Sequence, residues 1–74
     1  MRDWLVIKRE TKKFTQEQVA EKAGIERTYY NMIEKGKRRP SPDVAIKIGS
    51  VLSFDWTIFF NTESNKTTQK EVVK

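Results

Sequence analysis

Apolar residues fall along this 74-residue chain in short groups, and within most groups they recur every three or four positions, as on a helix that buries one face. Two such groups stand close together between Thr15 and Gly36. In the first, Val19, Ala20 and Ala23 share a face while Gln16, Glu17, Gln18, Glu21 and Lys22 occupy the others. Thr15 is a candidate N-cap, and Gln18, three residues on, can reach back to it as in a capping box. Two alanines among three apolar residues let another helix backbone come close. Gly24 stands where a left-handed residue ends a helix, because it has no Cβ to clash. In the second group, over about 26–35, Tyr30, Ile33 and Glu34 share the inner face, and Arg27, Thr28, Asn31 and Met32 lie on outer ones.

The flanks complete an all-α pattern. A first helix is expected over 2–12, but Trp4, Leu5, Val6 and Ile7 are consecutive and mark every face at once, so periodicity does not say which points inward. Phe14 closes it onto the next helix. Further on, Pro40 stops the preceding path, Ser41 can cap, Pro42 suits the first helical position, and Asp43 stands in the positively polarised first turn. That helix runs to about Leu52 and buries Val44 or Ala45, Ile48, Val51 and Leu52. Asp55 caps a last short helix over 56–60. From residue 61 the periodicity and most apolar residues are lost, which predicts a flexible C-terminal tail over 61–74. The expectation is a compact five-helix domain over 1–60.

A chain of this length holds one domain and no second core. It has no cysteine and no histidine, which removes disulfides, thiolate or imidazole catalysis and the usual zinc ligands. No enzyme chemistry, metal or cofactor is expected. No apolar stretch approaches the ~20 residues that span a bilayer, and the start has too few apolar residues for a signal-peptide core. The expected location is therefore the cytoplasm, in a bacterium the nucleoid. Net charge is +5 with a pI near 9.7. Charge alone says little, but Lys35, Lys37, Arg38 and Arg39 gather directly after the second of the paired helices.

Two short helices across a glycine turn, followed by a basic loop, form a helix-turn-helix layout. Arg, Thr and Asn on its outer face are short-range hydrogen-bonding groups suited to base edges in a major groove, Arg to guanine and Asn to adenine. On TQEQVAEKAGI, on the Ile33-Glu34-Lys35-Gly36 end of the second helix and on RRPSPDVAIKIGSVL, the chain resembles the Cro and phage-repressor helix-turn-helix family, the xenobiotic-response-element type. The resemblance covers roughly 5–60 and implies a lambda-repressor-like DNA-binding domain. It implies that Arg27, Thr28 and Met32 meet base edges, with Asn31 beside them. Gln16, at a positive helix N-terminus, would contact a phosphate and brace the recognition helix, while Tyr29, Lys35, Lys37, Arg38 and Arg39 would contact the backbone. Arg9 and Glu34 match a structural ion pair between the first helix and the end of the recognition helix.

Several residues depart from the family pattern. Glu26 stands where Ser or Thr caps the recognition helix, and Lys13 and Ser53 stand where glycine or asparagine takes a left-handed conformation. Met32 offers a thymine methyl an apolar contact and little hydrogen bonding. Phe54, Trp56, Ile58, Phe59 and Phe60 place five large apolar residues in seven positions, more than one face of a short helix buries. Trp56 and Phe60 are expected to complete the core, and Ile58 with Phe59 to form a homodimer interface. The implied activity is that of a sequence-specific regulator of transcription, a repressor, acting as a homodimer on a two-fold symmetric double-stranded operator. An alternative on the same fold is an antitoxin or other protein-interaction module whose tail binds a protein partner.

Overall fold

Caps at helix ends set the element boundaries. The structure, a computed structural model, describes residues 1–60; the tail expected at 61–74 lies outside the described residues. The helices are α1 (Asp3–Thr11), α2 (Gln16–Ala23), α3 (Arg27–Glu34) and α4 (Pro42–Leu52), followed by a fifth helical segment at residues 58–60. At α2 the Gln18 N–H donates to Thr15 Oγ1 at 3.1 Å and the Thr15 N–H donates to Gln18 Oε1 at 2.8 Å, a full capping box. Gly24 ends that helix at φ 73°. Ser41 Oγ accepts the Val44 N–H at 3.3 Å, with Pro42 and Asp43 opening α4. Glu26 is extended and gives α3 no side-chain cap. Helices α1 and α3 each begin and end one residue inside the expected bounds, at their weakly capped ends.

The core is Leu5, Val19, Ala20, Ala23, Tyr30, Ile33, Ala45, Ile48, Leu52 and Phe59. The small side chains of Ala20, Ala23 and Ala45 suit α2 to close packing, and it lies against both α3 and α4, while α1 touches α3. Packing resolves the ambiguous run in α1. Leu5 is fully buried, Ile7 is 62% exposed, and Trp4 meets Phe54 and Phe59 edge-on at 5.4 and 5.1 Å. In α4, Ala45 takes the inner position, and Val44 and Val51, the latter expected to be buried, are half-buried against the core.

The placement of Phe59 corrects the expectation of an interface role. Its side chain is 1% exposed and closes the core against Trp4 and Phe54, so no surface remains for a second chain. The reason lies in the corner after α4: Ser53 turns the chain at φ 62°, the Phe54 N–H returns to the Gly49 carbonyl at 2.9 Å, and the segment runs back over Trp4. Trp56 and Phe60 are half-buried against the core, edge-on to each other at 6.1 Å, and Ile58 is half-buried.

This corner also fixes Gly49, where a Cβ would lie 2.8 Å from the Phe54 carbonyl oxygen and 3.1 Å from Trp56 Cβ. Gly49→Ala is therefore expected to lower stability by about 1–3 kcal/mol in urea denaturation. Lys13 carries a side chain at φ 63°, so Lys13→Gly is expected to raise stability by up to about 1 kcal/mol in the same measurement. A loss there would show that the Lys13 side chain contributes more than its backbone strain costs.

Candidate nucleic-acid interface

Every outward side chain of α3 depends on how its inner face is held. Tyr30, Ile33 and Glu34 are buried, and Glu34, at 1% exposure, is the one fully buried charged residue among the described residues. An isolated carboxylate there would cost several kcal/mol, but this one accepts hydrogen bonds from three elements. Arg9 of α1 donates from Nε to Oε2 at 2.6 Å, Gln16 of α2 from Nε2 to Oε1 at 2.9 Å, and Tyr30 from its hydroxyl to Oε2 at 2.7 Å. Arg9 also donates from Nη1 to the Phe14 carbonyl at 3.0 Å. Burial pushes the Glu34 carboxyl up, but the hydrogen bonds from Arg9, Tyr30 and Gln16 outweigh it and hold the group below the usual carboxylate range. The bond to Glu34 correspondingly raises the Arg9 guanidinium against desolvation, and burial, then the bond to Glu34, push the Tyr30 phenol above its ordinary range.

The network continues to the surface. Asn31 Nδ2 donates to Gln16 Oε1 at 3.1 Å, so Gln16 joins the buried carboxylate to an outer residue of α3. Gln16, Arg27, Thr28 and Asn31 line one shallow concavity, and Glu26, Thr28, Tyr29, Met32 and Arg38 line another beside it. Arg27 and Thr28 are exposed, whereas Tyr29, Asn31 and Met32 are half-buried. A third concavity at the start of α2 brings Lys13, Thr15, Gln16 and Arg27 together with Arg9, Phe14 and the acidic Glu17.

The basic loop follows the same edge. Lys35, Lys37, Arg38 and Arg39 are all exposed, and Gly36, at φ 79°, turns the chain so that the Lys37 and Arg38 N–H groups both donate to the Met32 carbonyl, at 2.9 and 3.3 Å. The Arg38 guanidinium lies 5.3 Å over the Tyr29 ring. All candidate base-reading and backbone-binding residues thus lie on α3, at the N-terminus of α2 or on this loop, while Ile58 lies on the segment that follows α4.

Sequence reasoning missed Arg2. Its backbone N–H donates to the Glu34 carbonyl at 2.7 Å, and its Nη1 donates to the carbonyls of Ile33 at 2.6 Å and Arg38 at 3.3 Å. Nothing local marks it, since its partners lie more than thirty residues away.

No helix among the described residues is long and apolar enough to cross a membrane. A helix-turn-helix family profile matches residues 5–59. The chain is also similar to YqaF of Bacillus subtilis (strain 168), an uncharacterized HTH-type transcriptional regulator, with 57% identity over 67 residues that cover 90% of this chain and 88% of the relative.

The buried carboxylate sets an acid limit on stability. Its folded-state pKa lies below the unfolded value of about 4.3, so its contribution is present above that value and is lost as pH falls through the folded pKa. Urea denaturation at stepped pH should show a steep acid limb for the unmodified chain and a flatter one for Glu34→Gln, which should also be less stable at pH 7. Equal limbs would place the acid sensitivity elsewhere. Arg9→Ala, which leaves Glu34 without its counter-charge, is expected to cost about 3–5 kcal/mol.

Proposed function

We propose that this chain, which belongs to the helix-turn-helix family and is a DNA-binding transcriptional regulator, acts as a homodimeric repressor that places α3 in the major groove of a two-fold symmetric operator. The observation that carries the reading is the separation of faces on α3. Its inner residues are consumed by the core and the Glu34 network, and its outer residues present Arg27, Thr28 and Asn31 between the start of α2 and the cationic 35–39 loop. Arg27 suits a guanine edge, Asn31 an adenine, and Met32 a thymine methyl. An amide nitrogen carries two hydrogens, so the bond to Gln16 leaves Asn31 a donor for a base.

Lys35, Lys37, Arg38 and Arg39 supply affinity through phosphates, while α3 supplies discrimination. A dimer sets two copies of α3 about 34 Å apart, one turn of DNA. Ile58, half-buried beside Trp56 and Phe60, is the contact we assign to that dimer. Repression follows from occupancy: a bound dimer excludes other proteins from the operator. The activity needs neither catalysis nor cofactor, and its place is the cytoplasm, on the nucleoid.

Selection of duplexes from a random pool at moderate salt tests the reading. Enrichment of a two-fold motif with half-sites about one turn apart is expected; enrichment of none would overturn it. Arg27→Ala is expected to reduce the preference for the selected operator over random DNA by about 1–3 kcal/mol. Equal losses on both would restrict Arg27 to backbone contact. Ile58→Glu should leave a folded domain that sediments as a monomer, and an unchanged sedimentation profile would remove Ile58 from the interface.

A further inference from the structure

The C-terminal end of α3 is where the recognition helix meets the basic loop, and its last carbonyls have no partners within the helix. The N–H groups of the turn that follows serve Asn31, Met32 and Ile33, and the segment before α1 reaches the last two carbonyls, Ile33 and Glu34. Arg2 covers the Glu34 carbonyl with its backbone N–H and the Ile33 carbonyl with Nη1, which also reaches the Arg38 carbonyl inside the loop. Its guanidinium lies 5.7 Å over the ring of Phe59, one of the most buried core residues. A single planar cation therefore touches the end of the recognition helix, the loop that follows it, and the core. Its charge also complements the negative end of the α3 dipole.

We propose that Arg2 is a positioning residue for DNA binding: it holds the 35–39 loop in register with α3 so that the loop cations meet phosphates while α3 occupies the groove. Arg38 is then fixed three ways, its N–H by the Met32 carbonyl, its own carbonyl by Arg2, and its guanidinium by the Tyr29 ring. A loop ordered before binding loses less conformational freedom on contact with DNA, which raises affinity for every sequence. The proposal rests on the reading that this loop grips the DNA backbone.

The test is DNA binding by Arg2→Ala across a salt series, at temperatures well below each variant's melting point, with amide exchange at Lys37 and Arg38 followed by NMR in the unbound protein. Positioning predicts about a three- to tenfold loss of affinity for operator and random duplexes alike, an unchanged log-log salt slope, and faster exchange at both amides. A slope reduced by about one would mean that Arg2 itself neutralises a phosphate. A lower melting point with unchanged affinity of the folded protein would mean a structural role alone. Either result overturns the proposal.

Arg2→Lys retains the charge without the planar fork, and it replaces the alanine variant if that does not fold. A smaller loss at constant slope is expected, and full recovery of affinity and of amide protection would overturn the proposal. The underlying reading is tested separately by Lys37→Ala with Arg38→Ala. An unaltered salt slope in that double variant removes the loop from the interface whatever Arg2 does.

Discussion

A carboxylate with almost no access to water stands where three helices meet, and the position of α3 depends on it. Glu34 ends α3, Arg9 reaches it from α1 and Gln16 from α2, and Tyr30 completes the set from one turn earlier on α3. Burying that charge is unfavourable by itself, and the arrangement is stable because each donor is charged or directed and removes one unmet lone pair. Sliding α3 along its axis would break these bonds together. Apolar contacts tolerate small shifts far better, so the polar network rather than the core sets the register of α3 against α1 and α2.

Around that network the packing is simple. Alanines in α2 and α4 let backbones approach, large residues from α1, α3 and the 54–60 segment fill the remaining volume, and Gly49 makes room for the corner that returns the chain over α1. Because the core and Glu34 occupy only the inner face of α3, its outer face is left to Arg27, Thr28, Asn31 and the half-buried Met32. The same chain of hydrogen bonds passes through Gln16 to Asn31, so a residue on the outer face is oriented by the buried charge. Fold stability and the geometry of that outer face are therefore linked through one glutamine.

How much was legible follows from how far apart the interacting groups are in the chain. The capping box at Thr15 and Gln18, the left-handed Gly24, the Ser41-Pro42 start of α4 and the strained Lys13 and Ser53 all involve residues within about one turn of each other. The family resemblance extended this to pairs that spacing does not reveal, such as Arg9 with Glu34. The candidate interface residues were legible as types on a face, and the family match and the relative place that face in a DNA-binding regulator of transcription.

By itself the sequence determined the helices, the caps of α2 and α4, the inner and outer faces of α2 and α3, and the position of the basic loop, because these depend on neighbours within a few residues. Only the tertiary structure decided that Leu5 rather than Ile7 enters the core, that Phe59 is sealed inside rather than offered to a second chain, and that Arg2 clasps the end of α3. Four consecutive apolar residues carry no phase, a cluster of aromatics does not say which way its segment folds back, and an arginine gives no local sign of carbonyls 31 and 36 positions away. Those outcomes depend on where separate elements come to rest against one another, which becomes defined when the helices pack.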